Sequence, residues 1–280
     1  MKIAVASGRG GTGKTTVAVA LAQVTAGRAR LLDCDVEAPN CHLFLRPDRV
    51  ETETVTVPVP EVDATKCAAH GECGRFCQFN AIVSLGAAPL MFPELCHGCG
   101  GCVKVCPAGA IREVERPIGT VQRWACCGVE VVQGRLNIGE PLAPPLVRAV
   151  KAYASGNGAT IVDAPAGTSC TVIEAVRECD YVVLVTEPTP FGLRDLRLAV
   201  AVVRVLQIPY GVVVNRVGIG DDRVREYCDA QRIPLLLEIA NDRSIAEAYS
   251  RGETVIDAKP AMRSTFDRLL HHVESECHRA

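Results

Sequence analysis

Gly8-Arg9-Gly10-Gly11-Thr12-Gly13-Lys14-Thr15-Thr16 follows an apolar run, Lys2–Ser7, and precedes a helix predicted from Lys14 to about Ala26. The stretch matches G-x-x-x-x-G-K-[ST], in which glycines let backbone N–H groups surround phosphate oxygens. In this pattern Lys14 neutralises the β- and γ-phosphates, and the Thr15 hydroxyl is a ligand of Mg²⁺. These nine residues therefore predict a nucleoside triphosphate site on a strand–loop–helix unit.

The same glycines also satisfy G-x-G-x-x-G, which is typical of dinucleotide-binding folds. Asp33 follows Gly13 by 20 residues, about where such folds place the acid that binds a ribose. The Lys-Thr-Thr after the last glycine favours the triphosphate. A glycine-rich turn without a ligand is the third alternative.

Apolar runs rich in Val, Ile and Leu alternate with amphipathic segments in most of the chain, which indicates an α/β fold with a doubly wound, mostly parallel sheet. Polar and apolar residues alternate at Glu51–Val59, as in an edge strand. Two strands joined through Gly128 and Gly134 are predicted between Thr120 and Ile138, and helices at residues 142–154 and Ala261–Glu276. The other predicted strands are Lys2–Ser7, Ala29–Leu32, Thr160–Asp163, Tyr181–Thr186, Gly211–Val214 and Leu235–Ile239.

Composition narrows the class of protein. The chain has 280 residues, a net charge of −2 and only 4% aromatic residues, so neither nucleic acid nor an anionic membrane is the expected partner. No apolar stretch approaches the roughly 20 residues that span a bilayer, and Met1-Lys2 does not open a leader peptide. We therefore expect a cytoplasmic protein whose 15 cysteines include metal ligands.

Two cysteine motifs of equal spacing lie between residues 61 and 115. The second, Cys96-x2-Cys99-x2-Cys102-x3-Cys106-Pro107, has the spacing of bacterial ferredoxins, which a zinc site seldom uses. The first has histidine at its second position: Cys67-x2-His70-x2-Cys73-x3-Cys77. We expect residues 61–115 to form an inserted α+β, ferredoxin-like iron–sulfur domain, with residues 1–60 and 116–280 forming the P-loop domain.

In two-cluster ferredoxins the fourth cysteine of each motif binds the other cluster. This rule assigns Cys77, Cys96, Cys99 and Cys102 to one 4Fe-4S cluster, and Cys67, His70, Cys73 and Cys106 to the other. Three alternatives remain open for the second group. His70 ligates iron, or it stands aside and leaves a three-iron cluster or an open iron, or this cluster has been lost.

Several cysteines lie outside these two motifs. Cys126 and Cys127 are predicted on a strand, where neighbouring side chains point to opposite faces. They are either ordinary strand residues or a docking or metal site. Cys34, Cys41, Cys179, Cys228 and Cys277 are interpreted as small apolar or surface residues.

The chain resembles the MinD/ParA family of deviant Walker ATPases, in the branch with an inserted ferredoxin domain. The resemblance rests on GRGGTGKTT, LLDCDVEAPN, IVDAPAGTSC, VTEPTPFGLRDL and VVVNR. It implies that Asp35 positions or activates the attacking water and that Asp163 is the Walker B acid near Mg²⁺. It also implies that Asn215 and Arg216 lie at the adenine, with Glu187 and Pro188 lining the base pocket. A loop-capping role is the alternative for Asp33, Asp35 and Asp163.

The family's signature lysine, which reaches across a dimer to the partner's nucleotide, is replaced here by Arg9. Arginine can also bind phosphate. The resemblance therefore implies a homodimer formed on ATP binding, with Lys14, Asp35, Arg9 and Asp163 as the catalytic residues of a slow ATPase.

We expect ATP or ADP, Mg²⁺ and two iron–sulfur clusters as cofactors, with nucleotide state coupled to electron transfer or to docking of a redox or metallocluster partner. The alternatives are an iron–sulfur assembly carrier and a MinD/ParA-like positioning ATPase. The carriers resemble one another in a C-x-x-C in their C-terminal half, whereas Cys228 stands alone.

Overall fold

The computed structural model describes residues 1–25, 29–86, 88–154 and 158–278, and it contains eleven strands and ten α-helices within them. The strands are β1 (Lys2–Ser7), β2 (Ala29–Asp33), β3 (Glu51–Val62), β4 (Ile82–Val83), β5 (Leu90–Met91), β6 (Ile111–Cys126), β7 (Val129–Leu136), β8 (Thr160–Ala166), β9 (Tyr181–Thr186), β10 (Tyr210–Val217) and β11 (Leu235–Ala240). The helices are α1 (Lys14–Val24), α2 (Glu72–Phe76), α3 (Gly101–Val105), α4 (Pro144–Lys151), α5 (Cys170–Val176), α6 (Pro190–Val205), α7 (Arg223–Ala230), α8 (Arg243–Ser250), α9 (Val255–Ala258) and α10 (Met262–Cys277).

Nine of these strands form one sheet in the order β11-β10-β9-β1-β8-β2-β7-β6-β3. The pairs from β11 through to β7 are parallel. From β1 the chain continues to β2, toward one end of the sheet. From β8 it continues to β9, β10 and β11, toward the other end. This order confirms the doubly wound, mostly parallel sheet, and it places the topological switch point beside β1 and β8. β3 lies at the end of the sheet, as expected of an edge strand.

Two predicted features need comment, the end of α1 and the connection between β6 and β7. α1 ends at Val24, and the predicted end at Ala26 lies outside the described residues. β6 and β7 are joined through Cys127 and Gly128 alone. Gly134 lies inside β7, where a Cβ atom would come within 2.5 Å of Val36 and 2.8 Å of Val150. The glycine at 134 therefore permits close packing and does not form a turn.

The chain divides into two compact units. The first comprises Met1–Thr52, Val121–Arg135 and Val147–Ala280. Its core combines α1 with apolar residues of β1, β2, β7, β8 and β9, and with one face of α10. Burial on both faces explains why the parallel strands read as continuous apolar runs.

The second unit comprises Glu53–Thr120 and Leu136–Leu146. Its small core is built from Cys73, Ile82, Cys102 and Ile111, so two motif cysteines are core residues themselves. The limits 61–115 that the sequence suggests for the cysteine-rich domain stay a prediction. Among the described residues, none of the helices combines the length and the apolar character needed to cross a membrane.

Candidate nucleotide site and cysteine sites

The glycine-rich stretch connects the end of β1 to the start of α1, at the carboxyl ends of the parallel strands. Gly13 has a φ of 95°, and a Cβ atom there would lie 2.3 Å from the side-chain nitrogen of Asn215. That nitrogen donates a hydrogen bond to the carbonyl oxygen of Thr12 at 2.8 Å. Asn215 therefore supports the loop directly, and its contact with an adenine stays a prediction.

Four predicted site residues converge at the start of α1. The Lys14 ammonium is buried and lies 3.8 Å from Asp35 Oδ2 and 3.9 Å from Asp163 Oδ1. Thr15 donates a hydrogen bond of 2.6 Å to Asp163 Oδ2. The other oxygen, Asp163 Oδ1, is buried and accepts no hydrogen bond from any described residue. A hydroxyl beside a carboxylate with an unused oxygen suits Mg²⁺, which prefers oxygen ligands.

Burial perturbs the acids of this site. It raises the pKa of Asp163 to about 7, against the lowering effect of the Lys14 ammonium and the Thr15 hydrogen bond. Burial likewise raises the pKa of Asp33 to about 6 and that of Asp35 above its usual range. Burial is the largest cause in each case because it disfavours the charged carboxylate, and the neighbouring acids add to the shift. A bound cation would stabilise the charged form of these acids.

Asp33 has a structural role. Its carboxylate accepts hydrogen bonds from the backbone N–H groups of Asn40 at 2.9 Å, Cys41 at 3.0 Å and Asp35 at 3.2 Å. The residue is completely buried, so it is not available to a ribose hydroxyl. This geometry argues against the dinucleotide alternative, and it agrees with the loop-capping role.

Cys41 is a site neighbour that sequence reasoning missed. The sequence indicates a small apolar or surface residue, but the buried thiol of Cys41 lies 3.9 Å from Asp163 Oδ2. Ligand atoms of Asp33, Cys41 and Asp163 lie within 4.8 Å of one another. No sequence signal marks this approach, because residues 41 and 163 are distant in the chain.

Glu187 forms ion pairs with two arginines that are predicted to contact the nucleotide, Arg9 and Arg216. Its carboxylate is almost fully buried and lies 2.6 Å from Arg216 Nη1 and 3.4 Å from Arg9 Nη2. Arg216 has a φ of 58°. Arg9, the residue at the signature-lysine position, thus forms an ion pair within this chain. The roles of Glu187 and Pro188 in a base pocket stay predictions.

The raised pKa of Asp163 predicts how stability depends on pH without nucleotide. Between pH about 4 and 7 the folded chain binds a proton that the unfolded chain has released, so the free energy of unfolding falls as pH rises. Replacing Asp163 with asparagine keeps an acceptor for Thr15 and removes this proton. We expect the loss of stability between pH 5 and pH 8 to shrink by roughly 1 to 3 kcal/mol.

Urea unfolding at the two pH values measures this effect. Asp267→Asn, on α10, is the matched control and should leave the pH dependence as in the original chain. An equal slope in Asp163→Asn and the original chain would show that the carboxyl group at 163 titrates normally.

The two cysteine motifs share one backbone conformation. Ala69 and Gly98 have φ values of 53° and 64°, and Gly71 and Gly100 have values of 79° and 66°. Asn80 and Gly109 follow the last cysteines with values of 55° and 58°. In each motif the third cysteine position is the second residue of a five-residue helix, α2 or α3. The first motif therefore keeps the local fold of the second although His70 replaces a cysteine.

The predicted cysteine groups line two separate cavities of the second unit. Cys77, Cys96, Cys99 and Cys102 line a largely apolar cavity of about 310 Å³. Cys67, His70, Cys73 and Cys106 line one of about 20 Å³. Since a single water needs roughly 10 to 15 Å³ by the same measure, only the larger cavity fits a cluster as it stands.

A family model matches residues 3–255, and its description is the CobQ/CobB/MinD/ParA nucleotide binding domain. Two uncharacterised proteins of Methanocaldococcus jannaschii are similar in sequence. One is 32% identical over 262 residues, 91% of each chain, and the other is 30% identical over 226 residues, 79% of this chain and 80% of its own. The chain is thus a P-loop protein. It belongs to the CobQ/CobB/MinD/ParA family of nucleotide-binding domains.

Solved structures agree in fold. The septum site-determining protein MinD of Pyrococcus horikoshii, complexed with Mg-ADP, superposes with a TM-score of 0.60 at 21% identity, covering 98% of this chain and 95% of its own. A ParA family ATPase of Chlorobium tepidum gives 0.57 at 14% identity, covering 98% of each chain. These similarities show a MinD-like α/β fold. They do not show an inserted ferredoxin domain or a role in electron transfer.

Proposed function

We propose that this chain is a MinD/ParA-type ATPase that acts as a nucleotide-dependent switch. The observation that carries the proposal is the placement of Lys14 within 4 Å of both Asp35 and Asp163 at the start of α1. Family membership and the fold of the solved MinD and ParA proteins support it. They favour the positioning alternative over electron transfer, because those relatives are named for septum-site determination and partition.

Each residue has a separate task in this proposal. Backbone N–H groups of the loop bind the phosphates, and Lys14 neutralises their charge. Thr15 and Asp163 hold Mg²⁺, which offsets charge on the β- and γ-phosphate oxygens when bound. Asp35, which is only partly buried, orients the attacking water. Arg9 leaves Glu187 to reach the nucleotide of a second copy, so that ATP binding favours a homodimer.

Replacing Asp35 with alanine tests the catalytic part of this proposal. We expect ATP binding to persist and the rate of phosphate release to fall by at least about 100-fold, because an acid that positions or activates water contributes 10²–10⁴-fold. Glu37→Ala is the matched control two residues away, and it should keep the original rate. An undiminished rate in Asp35→Ala would remove Asp35 from the mechanism.

We also propose that the cavity lined by Cys77, Cys96, Cys99 and Cys102 holds a 4Fe-4S cluster. Four sulfur ligands around one cavity of about 310 Å³ support this proposal. The cavity beside His70 does not fit a second cluster in its present form, although the shared backbone of the two motifs favours one. This second proposal includes coupling of nucleotide state to a redox or metallocluster partner. Such coupling requires a bound cluster, so measuring the number of irons per chain tests it first.

A further inference from the structure

Cys126 and Cys127 occupy the tip of the β6–β7 hairpin. Their sulfur atoms lie 3.3 Å apart, and Cys127 is exposed while Cys126 is partly buried against the core of the first unit. The sequence placed these side chains on opposite faces of a strand, and the structure shows that this prediction was wrong. Cys127 belongs to the turn, so its side chain does not follow the alternation of the strand.

The turn itself is unusual in composition. Cys127 and Gly128 have φ values of 52° and 78°, as a type I′ turn requires at both central positions. Asn or Asp followed by glycine is the preferred pair there, because a residue other than glycine is strained at a positive φ. With cysteine at this strained position, the Cys127 thiol lies next to the Cys126 thiol. The preferred asparagine would place an amide there instead. The turn thus holds the Cys127 thiol beside that of Cys126.

We propose that Cys126 and Cys127 form a redox-active vicinal dithiol, which closes to a ring disulfide on reaction with a low-molecular-weight disulfide. Closure removes two electrons and two protons from the pair and forms one S–S bond. The external disulfide, which a cysteine thiolate attacks, takes up these electrons and protons and is reduced to two thiols, so atoms and electrons balance.

The two thiols react in a fixed order. Burial raises the pKa of Cys126 to about 11, which leaves this thiol protonated near neutral pH. The exposed Cys127 therefore reacts first with the external disulfide, and Cys126 then displaces the outer thiol. Neighbouring Cα atoms are about 3.8 Å apart, closer than in most disulfides, so the ring is strained and readily reduced again. A strained, exposed disulfide is of the labile, regulatory kind.

This site is separate from the nucleotide site. β7 pairs with β2 in parallel register, with Val129 beside Ala29 and Gln133 beside Asp33. The hairpin tip thus lies at the amino ends of the parallel strands, whereas the phosphate loop follows the carboxyl end of β1. Reaction of this cysteine pair consequently depends neither on ATP hydrolysis nor on a bound cluster.

The chain offers two convenient readouts. A tryptic peptide that begins at Trp124 and ends at Arg135 contains Cys126 and Cys127 and no other cysteine. Trp124 is the single tryptophan of the chain, and it lies two residues before Cys126. Its indole N–H donates to the carbonyl oxygen of Leu45 at 2.7 Å, so its fluorescence reports on this end of β6.

The test equilibrates the full chain anaerobically in mixtures of reduced and oxidised glutathione, quenches with acid, alkylates free thiols and digests with trypsin. We expect most of the peptide to lose two hydrogen atoms and to escape alkylation at oxidising ratios, with reversal by a dithiol. Trp124 fluorescence should change in parallel. Cys126→Ser and Cys127→Ser should each abolish both signals, whereas Cys170→Ser, at another exposed cysteine, should keep them.

Two outcomes would overturn the inference. In one, the peptide is doubly alkylated at every ratio. In the other, one cysteine carries glutathione while its neighbour is alkylated, which means that the ring does not close. Nucleotide binding should be unchanged in both serine variants, and this measurement confirms that they are folded.

Discussion

Replacing Lys14 with alanine is expected to lower the affinity for Mg-ATP by at least about 100-fold, because truncating a buried, charged partner of a ligand costs roughly 3 kcal/mol or more. Lys14 is the cation that lies between Asp35 and Asp163. Without it, these two acids lie at the phosphate site with no balancing charge. Isothermal titration calorimetry of the purified chain measures the change.

Two controls make the Lys14 result interpretable. Lys66→Ala removes an exposed lysine and should leave Mg-ATP affinity unchanged. Circular dichroism establishes that Lys14→Ala keeps its helix content. A folded Lys14→Ala chain that binds Mg-ATP with the original affinity would show that the phosphate-loop assignment is wrong.

The second large effect concerns Cys99. After anaerobic reconstitution, Cys99→Ser is expected to lose about four irons per chain relative to the original sequence, because a 4Fe-4S cluster needs four thiolate ligands. Acid-labile sulfide should fall by the same amount. Cys99 is the exposed member of its group, so the substitution leaves the small core of the second unit intact.

Cys170→Ser is the matched control for an exposed cysteine outside the motifs, and it should keep the full iron content. His70→Ala examines the second cavity separately, and its iron content shows whether that group also holds metal. Equal iron in Cys99→Ser and in the original chain would contradict the cluster assignment.

The parallel sheet could be predicted from the sequence because each inner strand is buried on both faces and therefore reads as an apolar run. The phosphate loop was equally accessible, since its glycines and Lys14 lie within one short segment. Local spacing also grouped the motif residues as the two cavities do, because the exchange of the fourth cysteine follows from the order of the two motifs. That these groups bind iron stays a prediction.

Contacts between distant residues could not be predicted. Nothing in the sequence shows that Glu187 pairs with Arg9, 178 positions away. The approach of Cys41 to Asp163 is of the same kind. The turn at Cys127 was missed for another reason. A positive φ at a residue other than glycine leaves no compositional signal, so the pair looked like part of a strand.

The most direct test of a nucleotide-dependent switch is the mass of the original chain in solution with ATP or with ADP, measured by light scattering in the presence of Mg²⁺. We expect about 29.9 kDa with ADP and about twice that value with ATP. Asp35→Ala should retain the dimer longer with ATP, and Arg9→Ala should remain monomeric while still binding ATP. An identical mass with both nucleotides would contradict the proposal that ATP binding switches this protein between two states.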